Sequence, residues 1–357
     1  MKGRKVLAGL LAVSMLLGTA ACGSEDSASK ADDGEKGASA GEPLRVGTMP
    51  LAVGIPVLWA QEKGYFEEAG LNIDLELFST GAPINEAIAA DQLDIAVSGF
   101  ASIYSLANDA CTWLADVSCT GGNELYARAD SPIAQGEKDG VVGNADALKG
   151  AKVLVQLGTS QQYMVESYAE QFGLAPEDIN EVNMEIAAAY QAFSTGEGDI
   201  IAANAPYSYT LGEEGYVKLC DYSTATKERL VDGCFARNEV VEDRGEEVQL
   251  FVNCLVKAVD DLCKDKEART EFTRQVYTDN GISFEEENLA KEIDDTEYVG
   301  TEMMKGSDYV FGEHFPGITE FLVKAEKITA DNAPNVVKSL DASFVSEAVG
   351  AEIKAAE

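Results

Sequence analysis

One histidine, His314, occurs in a chain of 357 residues. That excludes metal sites built from several imidazoles and leaves a single residue for activating a serine or cysteine nucleophile. His314 stands in GEHFPG with no ligand pattern around it, and reads as a surface or turn residue. Positive charge is scarce as well: 27 Lys and Arg stand against 62 Asp and Glu, a net charge of −35. Neutralising phosphates needs clustered Lys and Arg, so a nucleic-acid partner is excluded and adhesion of the folded surface to anionic lipid is disfavoured. GTSQQY, from Gly158, lacks the Gly-Lys-Ser/Thr ending of a phosphate loop. What is abundant is apolar side chain, 46% of the residues, too much for disorder. The length allows two domains with cores of their own.

The N-terminus has the anatomy of an export signal. Lys2, Arg4 and Lys5 precede the apolar run VLAGLLAVSMLLG and the small residues Thr19, Ala20 and Ala21. The run is short for a stable membrane span. GTAAC, ending at Cys22, resembles a bacterial lipobox, which implies cleavage after Ala21 and lipidation of Cys22. Thr19 stands where that pattern prefers Leu. Residues 23–43 carry no large apolar side chain and are expected to be a flexible tether. The expected layout is a signal peptide at 1–21, a lipidated N-terminus and tether at 22–43, and a folded body held at the outer face of a bacterial membrane.

From Leu44 the chain alternates strand and helix patterns. LRVGTM is a strand, Pro56 suits a first helical turn, VLWAQEK is a helix and Gly64 stops it. Leu71, Ile73, Leu75 and Leu77 alternate at period two, INEAIAADQ is a short helix and DIAVSG a strand. The order then recurs: AKVLVQLG, a helix TSQQYMVESYAEQFG capped by Thr159 or Ser160, a strand INEVNM, a helix AAAYQAFSTGEG and a strand DIIAAN. EEAGLNI and EQFGLAP, starting at Glu67 and Glu170, lie 103 residues apart. Either one βαβαβ unit is duplicated or two ordinary α/β units follow each other. In both cases right-handed crossovers make each half a small, mostly parallel sheet flanked by helices, with a ligand beyond the carboxyl ends of its strands. TWLADVSC and NELYARAD are expected to carry the chain between halves and VDGCFARNEVV to return it, with hinges at 115–126 and 231–240. VQLFVNCLVKAVDDLCKD has an apolar stripe at Val248, Phe251, Leu255, Val259 and Leu262, as a core helix would.

Besides Cys22 there are six cysteines, which in an exported chain invites a disulfide framework. Cys111 and Cys119 fall on one extended segment, about 26 Å apart. Cys254 and Cys263 fall on one helix, about 13 Å apart. A bridge needs roughly 4.4–6.8 Å between Cα atoms, so free, partly buried thiols are expected.

GIPVLWAQEKGYFEEAGLNIDLELFSTGAPINEAIAADQLDIAVSG resembles the first domain of ABC-importer solute-binding proteins of the nitrate, sulfonate, taurine and thiamine-precursor group. The resemblance continues through LKGAKVLVQLGTSQQYMVESYAEQFGLAPEDI and NAPY, roughly over 44–265. It implies a two-lobed type II periplasmic-binding-protein fold, an α/β architecture joined by two crossover strands. Lobe 1 would comprise 44–120 and 236–357, and lobe 2 would comprise 121–235. Ala205-Pro206-Tyr207 stands where many relatives carry Trp before the proline, which implies a differently shaped pocket.

Fold and family together place seven loops at the cleft, and none contains Lys or Arg. The expected ligand-binding residues are Met49, Pro50, Leu51, Ser79, Thr80, Gly81, Ser98, Gly99, Asn123, Thr159, Ser160, Gln161, Tyr163, Met184, Asn204 and Tyr207. Ser79, Thr80, Thr159 and Ser160 precede helices, whose free N–H groups can hold an anionic head, although plain N-capping is their usual task. Met49, Met184, Tyr163 and Tyr207 would supply walls. Glu124 or Glu185 would serve as counter-charge for a cationic solute. The resemblance implies an extracytoplasmic solute-binding component of an ABC importer, delivering a small organic, sulfonate- or taurine-like solute to a membrane permease and its ATPase. A monomer without metal or cofactor is expected. The alternatives are a binding protein for a thiamine-precursor-type pyrimidine, a same-fold enzyme, or an extracytoplasmic sensor.

Overall fold

Leu44 and Val46 are fully buried, and the strand they belong to pairs in parallel with a neighbour on each side. Arg45 between them reaches sideways to Asp94. The computed structural model describes residues 42–357, so the export signal, Cys22 and nearly all of the expected tether lie outside the described residues. In chain order the strands are β1 (Leu44–Thr48), β2 (Ile73–Leu77), β3 (Ile95–Ser98), β4 (Cys111–Cys119), β5 (Glu124–Ala127), β6 (Glu137–Lys138), β7 (Val141–Val142), β8 (Lys152–Val155), β9 (Asn180–Asn183), β10 (Ile200–Ala203), β11 (Val217–Asp221), β12 (Val231–Arg237) and β13 (Glu297–Tyr298).

One sheet runs β13-β4-β12-β3-β1-β2, another runs β11-β5-β10-β8-β9, and β6 and β7 form a separate ribbon. The two large sheets share one plan. β3-β1-β2 and β10-β8-β9 are parallel triplets. Each is followed at its edge by two antiparallel strands, β12 and β4 in the first sheet, β5 and β11 in the second. The parallel triplets are the topology that the recurring sequence order anticipates, whereas the antiparallel pairings beyond them make each sheet mixed rather than mostly parallel. The chain leaves the first sheet after Cys119, enters the second at Glu124, and returns with β12, which pairs in the first sheet along its whole length.

The longest helix among the described residues, Gly245–Lys264, buries Val248, Phe251, Leu255, Val259 and Leu262. It packs against the first sheet's helices, with Phe251 stacked on Phe66 at 5.2 Å. Trp113 in β4 lies edge-on to Phe315 at 4.9 Å and parallel to Phe235 at 6.1 Å. The same contact corrects the reading of His314. The apolar face of helix Phe315–Lys324 docks on Trp113 and draws the preceding histidine inside, with its ring 4.1 Å from Phe315. Desolvation lowers its pKa to about 4.

Cys111 and Cys119 end the same strand, Cys254 and Cys263 share one helix, and all six described cysteines are free thiols. Burial pushes Cys111 and Cys119 up to about 12. Among the described residues no helix is long and apolar enough to cross a membrane.

Candidate functional site

The carboxyl ends of the parallel strands in both sheets border one cavity of about 540 Å³. From the first sheet come residues 49–53 after β1, 79–82 beyond β2, and 98–101 at the end of β3. From the second come Gln156, 159–161, Ile186 and 204–207. The outgoing crossing adds Thr120, Gly121 and Asn123, and the return adds Leu230 and Asp232. Residues 280–283 and Glu292 complete the lining from the C-terminal part. No Lys, Arg, Cys or His is among them. The placement follows from the topology, because a parallel βαβ unit turns over a helix at the carboxyl end of each strand.

Of the residues expected at the cleft, all but Tyr163 and Met184 border the cavity. Tyr163 is a correction. It is buried behind the wall, stacked on Phe321 at 4.2 Å and 6.2 Å from Phe100, and Phe100 takes the lining position. Met184 packs against the apolar cluster of Leu154, Phe193 and Ile201, and Ile186 lines the cavity in its place. The counter-charge expectation also changes. Glu124 is engaged with Lys218 at 3.0 Å and with the Tyr126 hydroxyl, Glu185 accepts from Gln156 Nε2 at 3.0 Å, and neither carboxylate borders the cavity.

Gly81–Ala89 and Ser160–Gln171 are among the helices that start at the cavity. In Gly81–Ala89 the N-cap Thr80 makes no side-chain bond to the first turn. Ser98 Oγ is buried without a partner, and a Cβ added at Gly81 would come within 2.9 Å of it. Glycine at this position keeps hydroxyl and helix start side by side. At Ser160–Gln171 the Thr159 hydroxyl accepts from Gln161 N at 3.3 Å and donates to Gln156 O at 2.7 Å. Gln161 Nε2 in turn donates to Asn204 Oδ1 at 3.3 Å, fixing both amides at the cavity edge. Tyr207 is braced by Tyr190 at 5.4 Å.

Sequence reasoning missed the two carboxylates. Asp232 and Glu292 are 7% and 5% exposed. Thr120 and Ser118 donate to Asp232 Oδ2, while Oδ1 lies over Gly99, where any Cβ would sit 2.1 Å from it. Burial raises Asp232 to about 6 against those hydrogen bonds. Burial also raises Glu292 to about 7, although the Tyr277 hydroxyl donates to it. A signal existed for each. Asp232 interrupts an apolar strand, and Glu292 shares a helical stripe with Asn288, Leu289 and Ile293. Residues 280–283 carry no such signal.

Among the described residues no group of three or more His, Cys, Asp or Glu could hold a metal ion. The arrangement offers hydrogen-bond donors at helix starts, two carboxylates, and apolar walls from Met49, Phe100, Ile186, Tyr207 and Leu230. That is chemistry for reversible recognition of a small molecule.

Residues 37–276 match the profile of the NMT1-like family. The chain belongs to that family. This NMT1-like chain is 26% identical over 351 residues to a protein of Brachyspira hyodysenteriae named as an ABC transporter periplasmic binding protein, covering 97% of this chain and 98% of that one. It is similar in fold to the periplasmic aliphatic sulphonate binding protein SsuA of Escherichia coli. The TM-score is 0.64 at 19% identity, over 82% of this chain and 91% of that one. It is also similar to the desulfurization enzyme DSZB, with a TM-score of 0.60 at 15% identity, over 87% of this chain and 99% of that one. The α/β fold is therefore that of the periplasmic binding proteins, and the same fold also carries an enzyme.

Proposed function

We propose that the chain is the extracytoplasmic solute-binding component of an ABC importer. It captures a small organic solute in the cavity between two lobes and hands it to a membrane permease driven by an ATPase. The observation that carries this reading is the cavity itself. It is bordered by strand-end loops of both sheets, and its lining combines hydrogen-bond donors at helix starts, buried carboxylate acceptors and apolar walls. The two lobes would follow the division expected from the sequence, with the crossings as hinges and solute contacts offsetting the cost of closure. Cys22 would anchor the protein through lipid.

For the solute, the helix starts at Gly81 and Ser160 with Ser79, Thr80 and Ser98 support an oxyanion head such as a sulfonate. A second reading, a thiamine-precursor-type pyrimidine, is favoured by the acceptors Asp232 and Glu292 in the same lining. A thermal-shift screen of sulfonates, amino acids and heterocycles tests the function. A true solute at about 100 times its Kd stabilises by about 2.7 kcal/mol and is recovered unchanged. Chemical consumption of the stabilising compound would overturn the binding reading in favour of a same-fold enzyme.

A further inference from the structure

We infer that the solute carries a protonated nitrogen, received by Asp232, with Glu292 as a second acceptor in the lining of the same cavity. The inference rests on the solute-binding reading and narrows the class of solute. Nitrate and simple alkanesulfonates fall outside it.

Three observations carry it. First, the cavity has no cationic side chain in its lining, while two carboxylates more than nine-tenths buried stand there. A buried ionised carboxylate is costly unless a cation or several hydrogen bonds answer it. Second, each carboxylate is only half occupied. Asp232 Oδ2 takes Thr120 and Ser118, and Glu292 Oε1 takes Tyr277. The other oxygen of each has no protein donor among the described residues. Third, and independent of the acids, Ser98 Oγ in the same lining is buried without a partner beside the helix start at Gly81. The lining thus offers donors at Ser98 and the helix start at Gly81 and acceptors at Asp232 and Glu292, which fits a solute with a hydrogen-bond-accepting head and a basic nitrogen.

The groups facing the two acids agree. Around Asp232 stand Ser118, Thr120, Cys119, Tyr222 and Tyr298, none of them cationic. Around Glu292 stand Tyr277, Tyr209 and Tyr298, with Arg269 across a second, small cavity behind it. Arg269 already donates to the backbone oxygens of Ile293 and Thr296 and lies 5.3 Å from the Tyr298 ring. Its guanidinium is thus engaged with backbone oxygens behind Glu292, and no cation stands at Asp232. Asp232 is therefore the primary acceptor.

The test measures Kd for the full chain with matched probes: 2-aminoethanesulfonate against ethanesulfonate, piperidine against tetrahydropyran, and butylamine against 1-butanol. The basic-nitrogen member of a pair should bind about tenfold tighter or more at pH 7.5, and that preference should shrink at pH 5.5. Asp232→Asn should cut the preference to about threefold or less, and Glu292→Gln should reduce it in part. Both changes remove a buried charge, so the unliganded melting temperature at pH 7.5 should hold or rise. A merely structural role would instead weaken both members of a pair equally and lower that temperature. Equal or tighter binding of the nitrogen-free members overturns the inference and leaves the solute-binding reading standing. Failure of all six probes to bind overturns both.

Discussion

At Asp94 three segments of chain meet. Arg45 from β1 donates to both carboxylate oxygens, Arg237 at the end of β12 reaches the same group at 3.3 Å, and Asp94 itself leads into β3. Burial opposes its charge, but the hydrogen bonds from Arg45 and Arg237 outweigh that and hold its pKa below the usual carboxylate value. Asp94→Asn should cost about 1–3 kcal/mol, discounted from a fully buried pair because Arg45 is one-third exposed. Urea unfolding would read it as a lower midpoint at unchanged slope. The sign with pH follows from the depressed pKa. The contribution is fully present above the unfolded value of about 3.9 and is lost as pH falls through the lower folded value. Wild type and variant should therefore converge in strong acid. The same residue scale explains Asp232 and Glu292, acids whose folded pKa moves the other way because burial disfavours their charge and no arginine bonds them.

Elements succeed here by periodicity. In Gly245–Lys264 the buried residues Val248, Phe251, Leu255, Val259 and Leu262 recur every three or four positions, so one face closes the core of the first sheet. Leu255→Ala should destabilise by about 2–5 kcal/mol through lost burial and a residual cavity. Leu250→Ala, on the exposed side of the same helix, should change stability by about 0.5 kcal/mol or less. Denaturant titration of the two variants checks the contrast. Near-equal losses would mean that the helix is not docked as described. Helix starts obey a local rule too. Asn144 and Asp221 cap with their side chains, whereas Thr80 at the cavity does not, leaving its first turn available.

For the whole molecule, buried carboxyls set the response to pH. Burial raises Glu181, Glu228 and Glu292 to about 7 and Asp232 to about 6. Unfolded carboxyls titrate near 4, so between about pH 4 and 7 these four groups hold more protons in the native state; they outnumber buried His314, which at about 4 holds one fewer, and stability falls as pH rises. The net charge of −35 adds self-repulsion in the same direction. The unliganded protein should melt at a lower temperature at pH 7.5 than at pH 5.5, and a rise over that interval would contradict the assignment. The proposed anchoring through Cys22 also belongs to this scale. Cys22→Ser should release the protein from the membrane fraction of a bacterial host, and unchanged membrane association would place the anchor elsewhere.

The order of strands and helices, the shared plan of the two sheets, and the loops at 49–53, 79–82 and 159–161 were legible in the sequence. These features depend on local periodicity, on caps, and on the handedness of βαβ crossovers. Tertiary structure alone decided which acids face the cavity. Sixty residues separate Asp232 from Glu292, and nothing local brings a return strand and a C-terminal helix to one site. It also put His314 inside and Tyr163 behind Phe100. Periodicity states that a side chain is buried, but the partner it is buried against comes from distant chain, and for a charged or ring-bearing group that partner determines its chemistry.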